Sequence, residues 1–124
     1  MTDYRPPLRD IRFALSNLVN LEGLRATGAF PNAEDDLVFG ALDEAGRFIA
    51  EVVAPLARTA DKTGAKHHPD GTVTTPPGYR QAYKRFVDAG WPAVSFPEEH
   101  GGGGLPFVVG LALAEMLTSA DMAF

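Results

Sequence analysis

Between Val38 and Ala60 the sequence carries one long apolar stripe: Val38, Ala41, Leu42, Ala45, Phe48, Ile49, Val52, Val53, Leu56 and Ala60. Apolar residues that return every three or four positions over such a length bury one side as a helix, and they need other elements to cover it. Asn32 is placed to cap this helix. Asp35 follows three residues on, and Glu34 and Asp36 fall in the first turn, where negative charge is favoured. Arg58 and Lys62 sit near the opposite end, where positive charge is favoured. Pro55 lies inside the stripe and removes one backbone donor, which predicts a kink rather than a stop.

The rest of the chain supplies partners of the same kind. Pro7 suits a first helical turn, and Leu8, Ile11, Leu15 and Leu18 predict a helix to about Asn20. Leu21 to Asn32 holds two Gly and one Pro and reads as a connection. Gly64 to Gly78 is polar, with Asp70-Gly71 as a tight turn and Thr72-Val73-Thr74 briefly extended. A third helix is expected from about Pro77 to Ala89, with Tyr79, Tyr83 and Phe86 on its buried side and Gly90 as its stop. The last helix, from about Pro106, is apolar almost all round and must be buried on most faces. Strands do not alternate with helices, which argues against a nucleotide-binding parallel sheet. The fold class read from these patterns is all-α: a bundle of about four helices, with a Gly-rich loop before the last one.

Composition excludes several functions. The net charge of −5 argues against nucleic acid and against anionic membrane surfaces as partners. Without cysteine there is no disulfide, thiolate nucleophile or Cys-ligated zinc. The start, Met1 to Pro7, lacks the pattern of a signal peptide, and the apolar run Leu105 to Ala114 is far shorter than the roughly 20 residues that span a bilayer. A soluble, cytoplasmic protein without membrane insertion is the expectation.

Three clusters invite a sharper chemistry and read better as structure. Gly101–Gly104 before a helix could cradle an anion, but it lacks the Lys and Ser/Thr of a P-loop and no strand precedes it, so a structural turn is expected. Glu115 is the first charge of the last helix; no His or second acid stands at helical spacing beside it, and it reads as a structural carboxylate. His67-His68 with Asp70 lacks a third or fourth ligand, because adjacent side chains diverge, and reads as a solvated loop. Glu98 and Glu99 read as loop acids. These residues assign neither a catalytic residue nor a metal site.

The segment Gly90-Trp91-Pro92-Ala93-Val94-Ser95-Phe96-Pro97-Glu98-Glu99-His100-Gly101-Gly102-Gly103-Gly104-Leu105-Pro106 resembles the acyl-CoA dehydrogenase family. There a helix ends in Gly-Trp; a short apolar segment follows, then Pro-Glu-Glu, a variable residue, Gly-Gly, another variable residue and Gly-Leu before the next helix. Every fixed position is met here. The physical reading agrees: Gly90 closes a helix, Trp91 anchors the turn, and the glycines allow sharp turning and close approach. The extension Arg5 to Phe13 and the segment Thr75 to Tyr79 resemble a longer bacterial subgroup, which includes enzymes similar to 3-methylmercaptopropionyl-CoA dehydrogenase. Asp121 departs from the Asn expected there.

The resemblance implies the family's N-terminal helical domain over residues 1–124, with 1–33 a subgroup-specific extension. In the family a β middle domain and a helical C-terminal domain follow, and FAD and the acyl-CoA thioester lie between those two. A carboxylate of the C-terminal domain removes the α-proton while the β-hydride passes to the flavin. The sequence reaches Ala123-Phe124 part-way through the family pattern, so those domains, the cofactor-binding residues and the base are expected outside this chain. Alone it is expected to hold no cofactor and to be inactive. The family further implies acyl-CoA as substrate, 2-enoyl-CoA as product, electron-transfer flavoprotein as acceptor, a homo-oligomer and a place in fatty acid metabolism. By alignment with the family, Ala120 to Phe124 approaches the far end of the acyl cavity. Met122 and Phe124 are therefore the substrate-pocket candidates, with Met116 as a weaker one. The rival reading is a free-standing helical interaction module; several hundred further codons beyond Phe124 would decide for the enzyme.

Overall fold

The computed structural model describes residues 4–124. The long stripe forms one rod. Helix α3 (Asp35–Phe48) runs through a widened π turn (Ile49–Val53) into α4 (Ala54–Thr63). The π turn sits directly ahead of Pro55, which has no N–H to return to the turn before it; the wider turn absorbs that gap. Leu42, Ile49 and Val53 of this rod are buried. They pack on α6 (Phe107–Ala120) through Val109 and Met116, and on α5 (Tyr79–Asp88) through Phe86. Near the start, α1 (Leu8–Phe13) opens into its own π turn (Ala14–Leu18), where the Asn17 side-chain amide donates to the carbonyl of Phe13. Among the described residues the regular structure is thus helical apart from one hairpin, β1 (Lys66–His67) paired antiparallel with β2 (Val73–Thr74) around the Asp70-Gly71 turn.

Local readings are corrected in three places. Leu21 to Asn32 is not a plain connection: Leu21–Ala26 forms a short helix, α2. Its start is set by Asn20, held left-handed at φ 60°, whose Oδ1 accepts the Gly23 N–H at 3.1 Å. The cap of α3 is Glu34 rather than Asn32, and Glu34 makes no side-chain capping bond. Asn32 instead donates its side-chain amide to Glu98 of the Gly-rich segment. Tyr83 is exposed, while Tyr79, Ala82 and Phe86 carry the buried face of α5.

An N-terminal arm straps the bundle's two main rods together. Tyr4 donates its hydroxyl to the Met116 carbonyl of α6 at 2.7 Å. Pro6 and Leu8 lie over α3 at Gly46, where an added Cβ would stand 3.1 Å from Pro6. Burial and the nearby negative charge of Glu115 raise the Tyr4 hydroxyl above its ordinary pKa.

Asn20 provides a clean test of the α2 reading. Asn20→Ala removes a cap and places a Cβ residue with no local polar compensation in the left-handed region, for a combined cost of about 2 kcal/mol. Asn20→Gly loses the cap but not the backbone freedom, and should cost clearly less. Urea unfolding that ranks glycine below alanine would contradict this account.

Candidate functional site

The Gly-rich segment is a closed knot of backbone. Gly90 stops α5 at φ 78°, and two 3₁₀ turns, Trp91–Ala93 and Glu98–His100, follow. The four glycine N–H groups then turn inward: Gly101 donates to Glu98, Gly102 to Pro97, Gly103 to Ala93 and Gly104 to Phe96, all at 2.9–3.0 Å. These donors are spent on the fold, which makes the run a structural turn. Gly102 and Gly103 are required sterically. An added Cβ would stand 2.1 Å from the Phe96 carbonyl oxygen at Gly102, and 2.6 Å from that of Val94 at Gly103. Trp91 is half-buried against the core, and its buried Nε1 has no hydrogen-bond partner among the described residues.

The chain end is the other organised region. Helix α6 stops at Asp121, which is 9% exposed. Asp121 Oδ2 accepts the Tyr79 hydroxyl at 2.6 Å, and Oδ1 accepts the N–H groups of Ala123 at 3.0 Å and Phe124 at 3.2 Å. The C-terminal end of a helix is an unfavourable place for a carboxylate, so the three donors compensate both the dipole and the burial. Phe124 is thereby set edge-on to Tyr79 and Phe86, with ring centroids 5.4 and 6.1 Å away, and Phe86 stacks on Phe48.

Two open grooves flank this tie. One, of about 680 Å³, runs between β2 and α5 and is lined by Thr74, Thr75, Arg80, Tyr83 and Phe124. The other, of about 470 Å³, lies towards α4 and is lined by Ala57, Ala60, Asp61 and Met122. Met122 and Phe124 therefore face different grooves; Met122 is 82% exposed and Phe124 half-buried. Met116 is fully buried in the core. Glu115 is exposed. His68 Nε2 lies 2.7 Å from the Thr74 hydroxyl, and among the described residues no group of three acidic or His side chains gathers as a metal site. Nor is any helix among them long and apolar enough to cross a membrane.

Burial, followed by the hydrogen bond to Asp121 and its negative charge, pushes the Tyr79 hydroxyl well above its ordinary value of 10.0. An unfolded tyrosine ionises near pH 10 and the folded one only above it. The stability carried by this proton is therefore complete below that pH and is lost as pH rises beyond it. The expected result is a steeper alkaline loss of stability in the wild type than in Tyr79→Phe. Equal slopes in urea melts across that range would contradict the buried pair.

Residues 41–124 match the family described as "Acyl-CoA dehydrogenase, N-terminal domain". The chain belongs to the acyl-CoA dehydrogenase family. The matched span of this N-terminal domain runs from within α3 to the chain end and contains both the glycine knot and the Tyr79–Asp121 tie. Among curated relatives, a 3-methylmercaptopropionyl-CoA dehydrogenase of Ruegeria pomeroyi is 46% identical over 121 residues, which is 98% of this chain and 20% of that protein. The broad-specificity linear acyl-CoA dehydrogenase FadE5 of Mycobacterium tuberculosis is 27% identical over 124 residues, again 20% of its length. The chain thus spans about a fifth of the relatives it matches.

Sequence reasoning missed the Tyr79–Asp121 pair of this acyl-CoA dehydrogenase domain. The partners are 42 positions apart, beyond any local periodicity. The available signal was Asp121 itself, an acid at a helix end where acids are disfavoured.

Proposed function

We propose that the chain is the N-terminal domain of a flavin-dependent acyl-CoA dehydrogenase that oxidises acyl-CoA to 2-enoyl-CoA. The family match over residues 41–124 carries this reading. Residues 1–33, ahead of the family match that begins at residue 41, are proposed as a subgroup-specific extension; the Ruegeria pomeroyi and Mycobacterium tuberculosis enzymes both align with nearly the whole chain. The domain's part is to shape one wall of the acyl pocket, with Met122 and Phe124 as wall residues, and to support a homo-oligomer. Electron-transfer flavoprotein is the proposed acceptor, the cytoplasm the proposed location, and fatty acid metabolism the setting.

The N–H groups of Gly101 to Gly104 are engaged within their own loop and are not proposed as donors to the FAD this activity needs. Flavin binding and the catalytic base are assigned to the longer protein. The test compares the whole gene product with the isolated chain. The whole product should purify yellow and convert acyl-CoA to a species lighter by two hydrogens, while the isolated chain stays colourless and inactive. Flavin bound or acyl-CoA oxidised by the isolated chain would overturn this division of labour.

A further inference from the structure

We infer that Tyr79 is a positioning residue: through Asp121 it latches the segment Asp121–Phe124 and so sets which acyl lengths the pocket accepts. The inference rests on the reading of that segment as pocket wall. The latch itself rests on geometry. Tyr79 opens α5 directly after Gly78, which sits at φ 87° so close to α4 that a Cβ there would stand 2.7 Å from Leu56. Tyr79 is buried, and its hydroxyl donates to a carboxylate that no cation pairs with among the described residues. The other oxygen of that carboxylate accepts two consecutive backbone N–H groups, which bends the chain after α6 and presses Phe124 on Tyr79 and Phe86. Met122, between the tie points, is left pointing outward. The hydroxyl thus anchors the carboxylate that tethers the segment, whose Met122 and Phe124 face separate grooves.

Removing the hydroxyl strands one buried carboxylate oxygen, so the carboxylate that tethers the Ala123 and Phe124 amides loses its anchor and the segment loosens. Phe124 can then leave the aromatic cluster, and the space it filled becomes available to a longer chain. In the whole enzyme, Tyr79→Phe should raise the ratio of kcat/KM for long over short acyl-CoA by about tenfold, the scale on which apolar pockets discriminate length. Asp121→Ala should shift the ratio in the same direction. Amide exchange reads the latch without reference to catalysis: the Ala123 and Phe124 amides should be protected in the wild type and lose that protection in Tyr79→Phe. A uniform fall in kcat/KM at every length, with the ratio unchanged, would make Tyr79 a structural residue only and overturn the inference. Equal exchange of the two amides in wild type and variant would overturn the latch. A wild-type enzyme that oxidises no acyl-CoA would overturn the length-selecting role together with the reading beneath it, and the exchange result would still separate the two failures.

Discussion

Gly102→Ala is expected to destabilise the domain by about 3 kcal/mol, about 10 °C in Tm for a chain of this size. The added Cβ would stand 2.1 Å from the Phe96 carbonyl oxygen and 2.4 Å from its carbon. Both are backbone atoms, and the carbonyl already accepts the Gly104 N–H at 2.9 Å, so relief by local shift breaks the knot that positions α6. Gly40→Ala is the control. Gly40 lies exposed within α3 with nothing within 4 Å of an added Cβ, and alanine there should stabilise by about 0.5–1 kcal/mol. Thermal unfolding of the two variants side by side checks both signs. A Gly102→Ala protein that melts with the wild type would mean that the loop is looser than its hydrogen bonds indicate.

A second large effect is expected in solution behaviour. Along α6, Phe107 is 73% exposed and Leu111 57%, and the exposed Ala114 and Thr118 continue the same stripe at helical spacing. Its opposite side, Val109, Leu113 and Met116, is buried against α3. A contiguous apolar strip of this kind marks an interaction surface. At roughly 25 cal/mol per Å², covering it favours self-association of the isolated chain at high concentration. Phe107→Lys with Leu111→Lys should return the chain to monomer without unfolding it, since neither residue is in the core. Sedimentation equilibrium reads this directly, and a wild-type chain monomeric at high concentration would contradict it.

Much of the architecture is legible in the sequence where one local rule decides the outcome. The stripe from Val38 to Ala60 becomes a rod because period and burial agree, and Pro55 is accommodated by a wider turn instead of ending it. The Gly-rich run is legible because positive φ and close backbone approach both demand glycine, at Gly101 and at Gly102 respectively. Local rules fail where tertiary partners compete. Asn32 is a good cap by type, yet its amide is taken by Glu98, 66 residues away. Tyr83 shares helical spacing with Tyr79 but stands at the flank of the buried arc, where it lines a groove instead of the core. Helix α2 is hidden by Gly23 and the nearby Gly28 and Pro31, and only the left-handed Asn20 cap gives it away. At the candidate site the apolar character of Met122 and Phe124 is visible in the sequence, but the hydroxyl that Asp121 accepts beside them is not, because it comes from the start of another helix.

Anaerobic titration of the whole purified gene product with acyl-CoA thioesters tests whether this chain serves a flavin-dependent acyl-CoA dehydrogenase, with the flavin's visible absorption as the readout. That absorption should bleach on addition of a suitable acyl-CoA and return when an electron acceptor is supplied, with 2-enoyl-CoA as product. A whole product that carries no flavin, or whose flavin stays oxidised with every acyl-CoA from short to long, would contradict it.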